Sequence, residues 1–158
     1  MDKLIFKYTF DDFYKANMIH KIKNKKFRIV ASLMFLFLIV AVYMAVKNIN
    51  NIFAWIVIAY VMFYFSTTFI VHRSRVKKYF EKQPALQSEQ EVILYEDKIF
   101  IKNSQEESYI KKIHDLYVNE KFIIIYNTPV TFYVIPRRVC VDNNQFHHIA
   151  DLAAELRS

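Results

Sequence analysis

The chain has 158 residues, 54% of them hydrophobic, and contains no glycine and a single cysteine. The phosphate-cradling loops of Walker-type NTPases and Rossmann dinucleotide-binding proteins are therefore excluded, because they need close backbone approach or positive φ. The single Cys140 cannot form an internal disulfide, and one thiol supplies no metal cluster.

The formal net charge of +7 is divided unevenly along the chain. Residues 1–83 hold 14 Lys/Arg and 4 Asp/Glu, whereas residues 84–158 hold 8 and 11. The basic side chains thus concentrate in the half with the longest apolar segments. A basic flank beside a bilayer is attracted to anionic headgroups by about 1 kcal/mol per Lys/Arg, so the charge is explained without a nucleic-acid partner.

The first 28 residues are predicted to form a strand and a cytoplasmic helix. Residues 3–8 mix apolar, aromatic and basic side chains as a short strand does, and they do not form a signal peptide. Thr9 with Asp12 three residues later resembles a capping box, so a helix is expected to begin near Phe10. Residues 10–28 contain neither Pro nor Gly, and this helix is expected to run unbroken into the apolar segment that follows.

Two apolar segments, residues 29–46 and 52–71, are joined by a short polar turn at residues 47–51. At about 1.5 Å per residue, each is close to the ~30 Å thickness of a bilayer core. Together they predict a transmembrane helical hairpin over residues 29–71. Transport is not expected, because neither segment contains the ionisable side chains that transporters place within the bilayer.

The flanks of the hairpin predict its orientation. Basic residues precede the first span and follow the second, where residues 72–83 extend the helix, whereas the turn holds only Lys47. By the positive-inside rule, both termini are cytoplasmic. The flanks also supply candidate contacts to lipid headgroups, although topology alone accounts for their charge. These candidates are Lys25, Lys26, Arg28, Arg73, Arg75, Lys77 and Lys78.

Residues 84–158 are predicted to form a cytoplasmic β-domain closed by a helix. After Gln83-Pro84, short alternating runs indicate about six strands with short connections, which favours an antiparallel sheet. From Asp142 the apolar residues recur with a helical period, so a terminal helix is expected to end near Ser158. Its apolar face comprises Phe146, Ile149, Ala150, Ala153 and Leu156. The fold class is an α+β membrane protein.

Four features resemble the YcxB-like membrane proteins of bacteria. They are residues 8–14 (Tyr-Thr-Phe-Asp-Asp-Phe-Tyr) before a helix, the two-span hairpin, a β-meander, and residues 134–139 (Val-Ile-Pro-Arg-Arg-Val) before the terminal helix. The resemblance implies a two-pass protein of the bacterial inner membrane with a pleckstrin-homology-like cytoplasmic domain, to whose sheet the N-terminal strand adds. It implies no catalytic residues.

The sequence indicates no cofactor and no catalytic constellation. We expect a non-enzymatic protein whose β-domain binds a protein or peptide partner, in a groove or at a strand edge. Arg137 and Arg138 are candidate partner contacts, and they equally fit a structural role in which they pair with a carboxylate such as Asp142. An immunity-type protein that neutralises a membrane-acting toxin and a lipid-sensing regulator stay open as alternatives, as does assembly into a homo-oligomer.

Overall fold

A computed structural model describes residues 2–157, and the chain divides into two compact units. Residues 17–78 form one unit, called here the hairpin unit. Residues 1–16 and 79–158 form the other, called the β-unit, which is therefore built from both ends of the chain. Helices followed by antiparallel sheets and a C-terminal helix make the fold α+β, as predicted.

The described residues of the β-unit contain seven strands in two antiparallel sheets. The strands are β1 Asp2–Lys7, β2 Glu89–Leu94, β3 Ile99–Lys102, β4 Glu107–Ile110, β5 Asp115–Val118, β6 Phe122–Tyr126 and β7 Phe132–Pro136. The first sheet has the order β1-β2-β3-β4, and the second has the order β5-β6-β7. The burial of the side chains alternates along β2, as expected of a strand. Val92 and Leu94 are buried, and Ile93 between them is partly buried.

The N-terminal strand joins the sheet of the C-terminal region, as the family resemblance implies. β1 pairs with β2 in a register that runs from Asp2 opposite Leu94 to Lys7 opposite Glu89. Leu4 and Phe6 belong to the buried core and are 4% and 6% exposed, whereas Ile5 between them is 53% exposed. Alternate residues of a strand share a face, so β1 supplies one apolar face to the core.

Helix α5, Asn143–Glu155, closes this core. Asp142 caps its first turn, because its side chain accepts a hydrogen bond of 2.7 Å from the Gln145 amide. The helix ends at Glu155, and Ser158, near which its end was predicted, lies outside the described residues. Its buried residues all fall on the predicted apolar face: Phe146, Ile149, Ala150 and Ala153.

Three of the turns between strands are stabilised by side-chain oxygens that accept hydrogen bonds from backbone amides, and none of these turns contains glycine. Asn103 Oδ1 accepts hydrogen bonds from the Gln105 and Glu106 amides, both at 2.9 Å. Asn119 plays the same part between β5 and β6, and Thr128 does so between β6 and β7. No residue in the described range has positive φ. Asx and ST turns of this kind need no left-handed backbone, so a chain without glycine can make them.

The expected unbroken helix into the first apolar segment is wrong. The helices of this part of the chain are α1 Phe10–Lys23, α2 Lys25–Lys47 and α3 Ile52–Lys82, and the short α4 Pro84–Gln87 follows. Asn24 has an extended backbone, and its Oδ1 accepts hydrogen bonds from the Lys26 and Phe27 amides at 3.0 and 3.4 Å. The first N–H groups of a helix have no acceptor within the helix. The Asn24 side chain supplies that acceptor, so a new helix begins after Asn24.

Both α2 and α3 are long and apolar enough to cross a membrane. Only 11% of the most apolar window of each helix is buried. The buried positions carry alanine or valine: Ala41 and Ala45, one turn apart, in α2, and Ala54, Val61 and Val76 in α3. Alanine at such positions is typical of membrane helices that pack closely.

Candidate functional site

Arg137 and Arg138 lie in a 3₁₀ turn between β7 and α5. Pro136 ends β7, and it has no amide hydrogen with which to continue the ladder. The Arg137 amide donates to the Lys121 carbonyl at 2.8 Å. The backbone of this arginine turn is therefore fixed against the connection between β5 and β6.

The Arg138 side chain reaches back to the start of the chain. Its Nε and Nη2 donate to Asp12 Oδ2 at 3.0 and 2.5 Å. Nη2 also donates to the Lys7 carbonyl at 2.8 Å. The partner carboxylate is thus Asp12, whereas Asp142 caps α5. Arg138 joins the segment after β1 to the end of β7, across 126 positions of sequence.

Asp12 also completes the predicted capping box of α1, which is confirmed. The Thr9 amide donates to Asp12 Oδ2 and the Asp12 amide donates to Thr9 Oγ1, both at 3.1 Å. Burial raises the pKa of the Asp12 carboxyl, but the hydrogen bonds from Arg138 and Thr9 outweigh burial, so the pKa lies below its ordinary value of 3.8. Asp12 is consequently an ionised residue that is only 8% exposed. Its carboxylate accepts three hydrogen bonds, one from the Thr9 amide and two from the Arg138 guanidinium.

Arg137 has partners of its own. Its guanidinium donates to the Glu120 carbonyl at 3.2 Å and to Asn143 Oδ1, and it lies 5.9 Å from the centre of the Phe146 ring. Both arginines border a groove of about 560 Å³ in the β-unit that presents side chains of either charge. Asp12 offsets the charge of Arg138, whereas the Glu120 carbonyl and the Asn143 side chain that accept from Arg137 are neutral.

A second groove, the basic groove, lies in the hairpin unit beside the end of α1, the start of α2 and the basic half of α3. Its volume is about 720 Å³, and its lining includes His20, Lys21, Lys26, Tyr64, Thr67 and Arg75. Lys21 Nζ lies 5.3 Å from the centre of the Phe27 ring and donates to the Thr68 carbonyl at 3.4 Å. Burial, and then the nearby charge of Arg75, lowers the pKa of Lys21.

The seven candidate headgroup contacts are all exposed, but only two of them line the basic groove. Lys26 and Arg75 do so; the other five are Lys25, Arg28, Arg73, Lys77 and Lys78. His20 and Lys21 line the groove although the sequence did not mark them as site residues. Their position depends on where α1 ends, and the capping preference of Asn24 was the sequence signal for that end.

The outer face of the first sheet carries an apolar row, the aromatic stripe, formed by Ile5, Ile93, Phe100 and Tyr109. The last three face one another across β2, β3 and β4, and Ile5 lies in the adjacent row of β1. The ring centres of Phe100 and Tyr109 are 4.8 Å apart, and Tyr109 is 61% exposed. Two ion pairs lie on the same face. Lys102 with Glu107 borders the stripe, whereas Lys3 with Glu91 crosses it between Ile93 and Ile5, the residues opposite them. Aromatic anchors with a charged rim are typical of protein interfaces.

The edges of the two sheets differ in their backbone partners. The Tyr8 hydroxyl donates to the Val134 carbonyl at 2.8 Å and accepts from the Val134 amide at 3.3 Å, so it occupies the edge of β7. β4 is the last strand of the first sheet, and no strand among the described residues pairs with its outer edge. Tyr109 therefore belongs both to the aromatic stripe and to an open strand edge.

Within residues 2–157, no group of three or more His, Cys, Asp or Glu side chains is arranged to hold a metal ion. A family model described as YcxB-like protein matches residues 94–149. No curated protein and no solved structure matches the chain. The matched segment runs from the end of β2 into α5 and includes the arginine turn. Over this segment the chain is similar to the YcxB-like family, and the resemblance found in its sequence is confirmed there.

Proposed function

We propose that this non-catalytic protein crosses the bacterial inner membrane twice, through residues 29–46 and 52–71, and binds a protein or peptide partner through its cytoplasmic β-unit. The exposure of α2 and α3 supports the membrane part of the proposal. A helix in the core of a soluble protein is mostly buried, whereas only 11% of each apolar window is buried in this chain. Exposed apolar surface of this extent needs an apolar environment, which a bilayer supplies.

The proposed orientation can be tested with fusions to the full chain. A reporter fused at Ser158 is expected to be active only if it is of the cytoplasmic type, because basic residues flank both ends of the hairpin. The matched control is the same pair of reporters inserted after Asn50, in the turn, where only the type that works outside the cytoplasm should be active. External activity at Ser158 would overturn the orientation.

For the β-unit we propose a pleckstrin-homology-like fold. Its support is the order of elements, in which four strands and then three strands form antiparallel sheets and α5 follows them. β1 supplies the first strand of this arrangement although the hairpin separates it from the others. Small β-domains recognise peptides by adding a strand at an open edge or by holding side chains against a face.

The aromatic stripe is the observation that carries the partner proposal. Tyr109 and Ile5 are more than half exposed, and both lie on the sheet face opposite the core. Apolar side chains that stay exposed to water do not stabilise the fold. Tyrosine and phenylalanine side chains do stabilise a complex once a partner excludes water from them. The open edge of β4 beside Tyr109 adds backbone donors and acceptors to the same surface.

Site-specific photo-crosslinking in the native membrane tests this surface. A photoreactive residue in place of Tyr109 is expected to give a discrete protein adduct. The matched control is Val130, an apolar residue in the turn between β6 and β7 that is 75% exposed. Adducts of equal yield at the two positions, or none at Tyr109, would contradict the proposal.

The identity of the adduct distinguishes the roles that fit this proposal. A membrane-acting toxin would identify an immunity-type protein, and a second copy of the chain would identify a homo-oligomer. Turnover of a lipid by the purified protein, if a single carboxylate or histidine substitution abolished it, would overturn the non-catalytic role.

A further inference from the structure

All the charged side chains of the hairpin unit are cations. Residues 17–78 contain ten Lys/Arg and no Asp/Glu. In the basic groove, Arg75 is close enough to Lys21 for its charge to lower the pKa of Lys21, in addition to the larger effect of burial. Holding like charges together in a partly desolvated groove is unfavourable, and a bound anion would offset that cost.

The lining of the basic groove suits a ligand that is itself amphipathic. Phe27, Tyr64 and Val71 place apolar surface beside the cations. The volume of about 720 Å³ falls within the range of small-molecule sites, about 300–1,000 Å³. An anionic head with an apolar body could use both kinds of surface, whereas inorganic phosphate would use only the cations.

The groove also lies at the right level of the hairpin for a lipid headgroup. Lys26 comes shortly before the first apolar segment, and Arg75 comes shortly after the second. In the proposed membrane orientation both residues lie at the cytoplasmic headgroup level. Anionic lipids are concentrated in that leaflet.

We propose that the basic groove binds the phosphate headgroup of an anionic phospholipid. Lys21 and Arg75 hold the phosphate, Lys26 lies at the rim, and Phe27 and Val71 contact the apolar part of the lipid. The bound lipid thereby links the end of α1 to α3 within the hairpin unit. The inference rests on the membrane insertion of the proposed function and is independent of partner binding by the β-unit.

Lipid retention by the full chain tests the inference. The protein is purified in a neutral detergent, equilibrated with equal amounts of phosphatidylglycerol and phosphatidylcholine, and washed in about 1 M salt, where the Debye length is ~3 Å and exposed charges are screened. Retained lipid is then measured by mass spectrometry. The groove variant combines Lys21→Gln with Arg75→Gln. Its control combines Lys111→Gln with Lys112→Gln, which removes the same charge from two exposed residues of the β-unit that neither line the groove nor belong to the candidate headgroup contacts.

The unsubstituted protein and the control are expected to retain phosphatidylglycerol in preference to phosphatidylcholine. In the groove variant, the ratio of retained phosphatidylglycerol to phosphatidylcholine is expected to be about tenfold lower. Equal retention by all three proteins, or no preference in any of them, would overturn the inference. Binding of inorganic phosphate that displaces the lipid would also overturn it, because the groove would then take the free ion. Equal melting temperatures show that the variants fold.

Extraction of the membranes with alkaline carbonate separates this inference from the proposed function. A chain that carbonate releases is not inserted, and the proposed function itself then fails. A chain that stays in the membrane but shows no lipid preference overturns only the lipid site.

Discussion

Replacing Phe6 with alanine is expected to lower the free energy of unfolding of the β-unit by about 3–5 kcal/mol. Phe6 is 6% exposed and belongs to the same buried cluster as Ile99, Ile123 and Phe146. Truncation of its ring removes apolar contacts and leaves a cavity that the two sheets cannot fully close. Pulse proteolysis of the full chain in detergent, at increasing urea concentration, measures the change.

The control for Phe6 is its neighbour Ile5. Ile5 lies on the opposite face of the same strand and is 53% exposed, so Ile5→Ala is expected to change the stability by no more than about 0.5 kcal/mol. The same substitution should weaken the crosslink at Tyr109, because Ile5 belongs to the aromatic stripe. Equal losses of stability for the two variants would contradict the register of β1 against β2.

Replacing Asp12 with alanine is expected to destabilise the β-unit by about 2–4 kcal/mol, since it removes a helix cap and the carboxylate that receives Arg138. Asp11 is the matched control. Its side chain is exposed and pairs with Lys15 one turn along α1, an arrangement that contributes at most about 0.5 kcal/mol. Similar losses for Asp11→Ala and Asp12→Ala, in the same urea titration, would show that the capping box and the Arg138 contact are not stabilising.

The contribution of Asp12 to the stability of the β-unit is expected to depend on pH. Its pKa in the folded chain lies below the ordinary value of 3.8. The carboxylate therefore stabilises the folded state fully above that value, and this stabilisation is lost as the pH falls through the lower, folded pKa. The difference in urea midpoint between the unsubstituted protein and Asp12→Ala should be constant near neutral pH and shrink below about pH 4. A difference that grows on acidification would contradict the ionised state assigned to Asp12.

Local patterns predicted the elements whose causes are local. The alternation of residues 3–8, the Thr9–Asp12 cap and the apolar face around Ile149 each depend on neighbours within one or two turns, and each is present in the structure. The end of α1 was missed because the absence of Pro and Gly was given more weight than the capping preference of Asn24. An asparagine followed by helix-forming residues is a start signal even inside an apparently continuous helix.

The candidate sites depend on contacts that a single sequence does not reveal. Asp12 and Arg138 are 126 positions apart, and nothing in either segment marks the other as its partner. The aromatic stripe follows from strand register, since a shift of one residue would place Tyr109 in the core and Ile110 outside. The basic groove requires Lys21 and Arg75, from two helices, to lie near each other.

The pairing of β1 with β2 has a consequence for the order of events during synthesis. The ribosome makes β1 first, but its partner begins only at Glu89, after the whole hairpin. The first sheet therefore closes only once residues 8–88 have been made, and closing so long a loop costs chain entropy. A nascent chain that stalls earlier presents β1 as an unpaired strand, on which the charges of Lys3 and Lys7 discourage pairing with other chains.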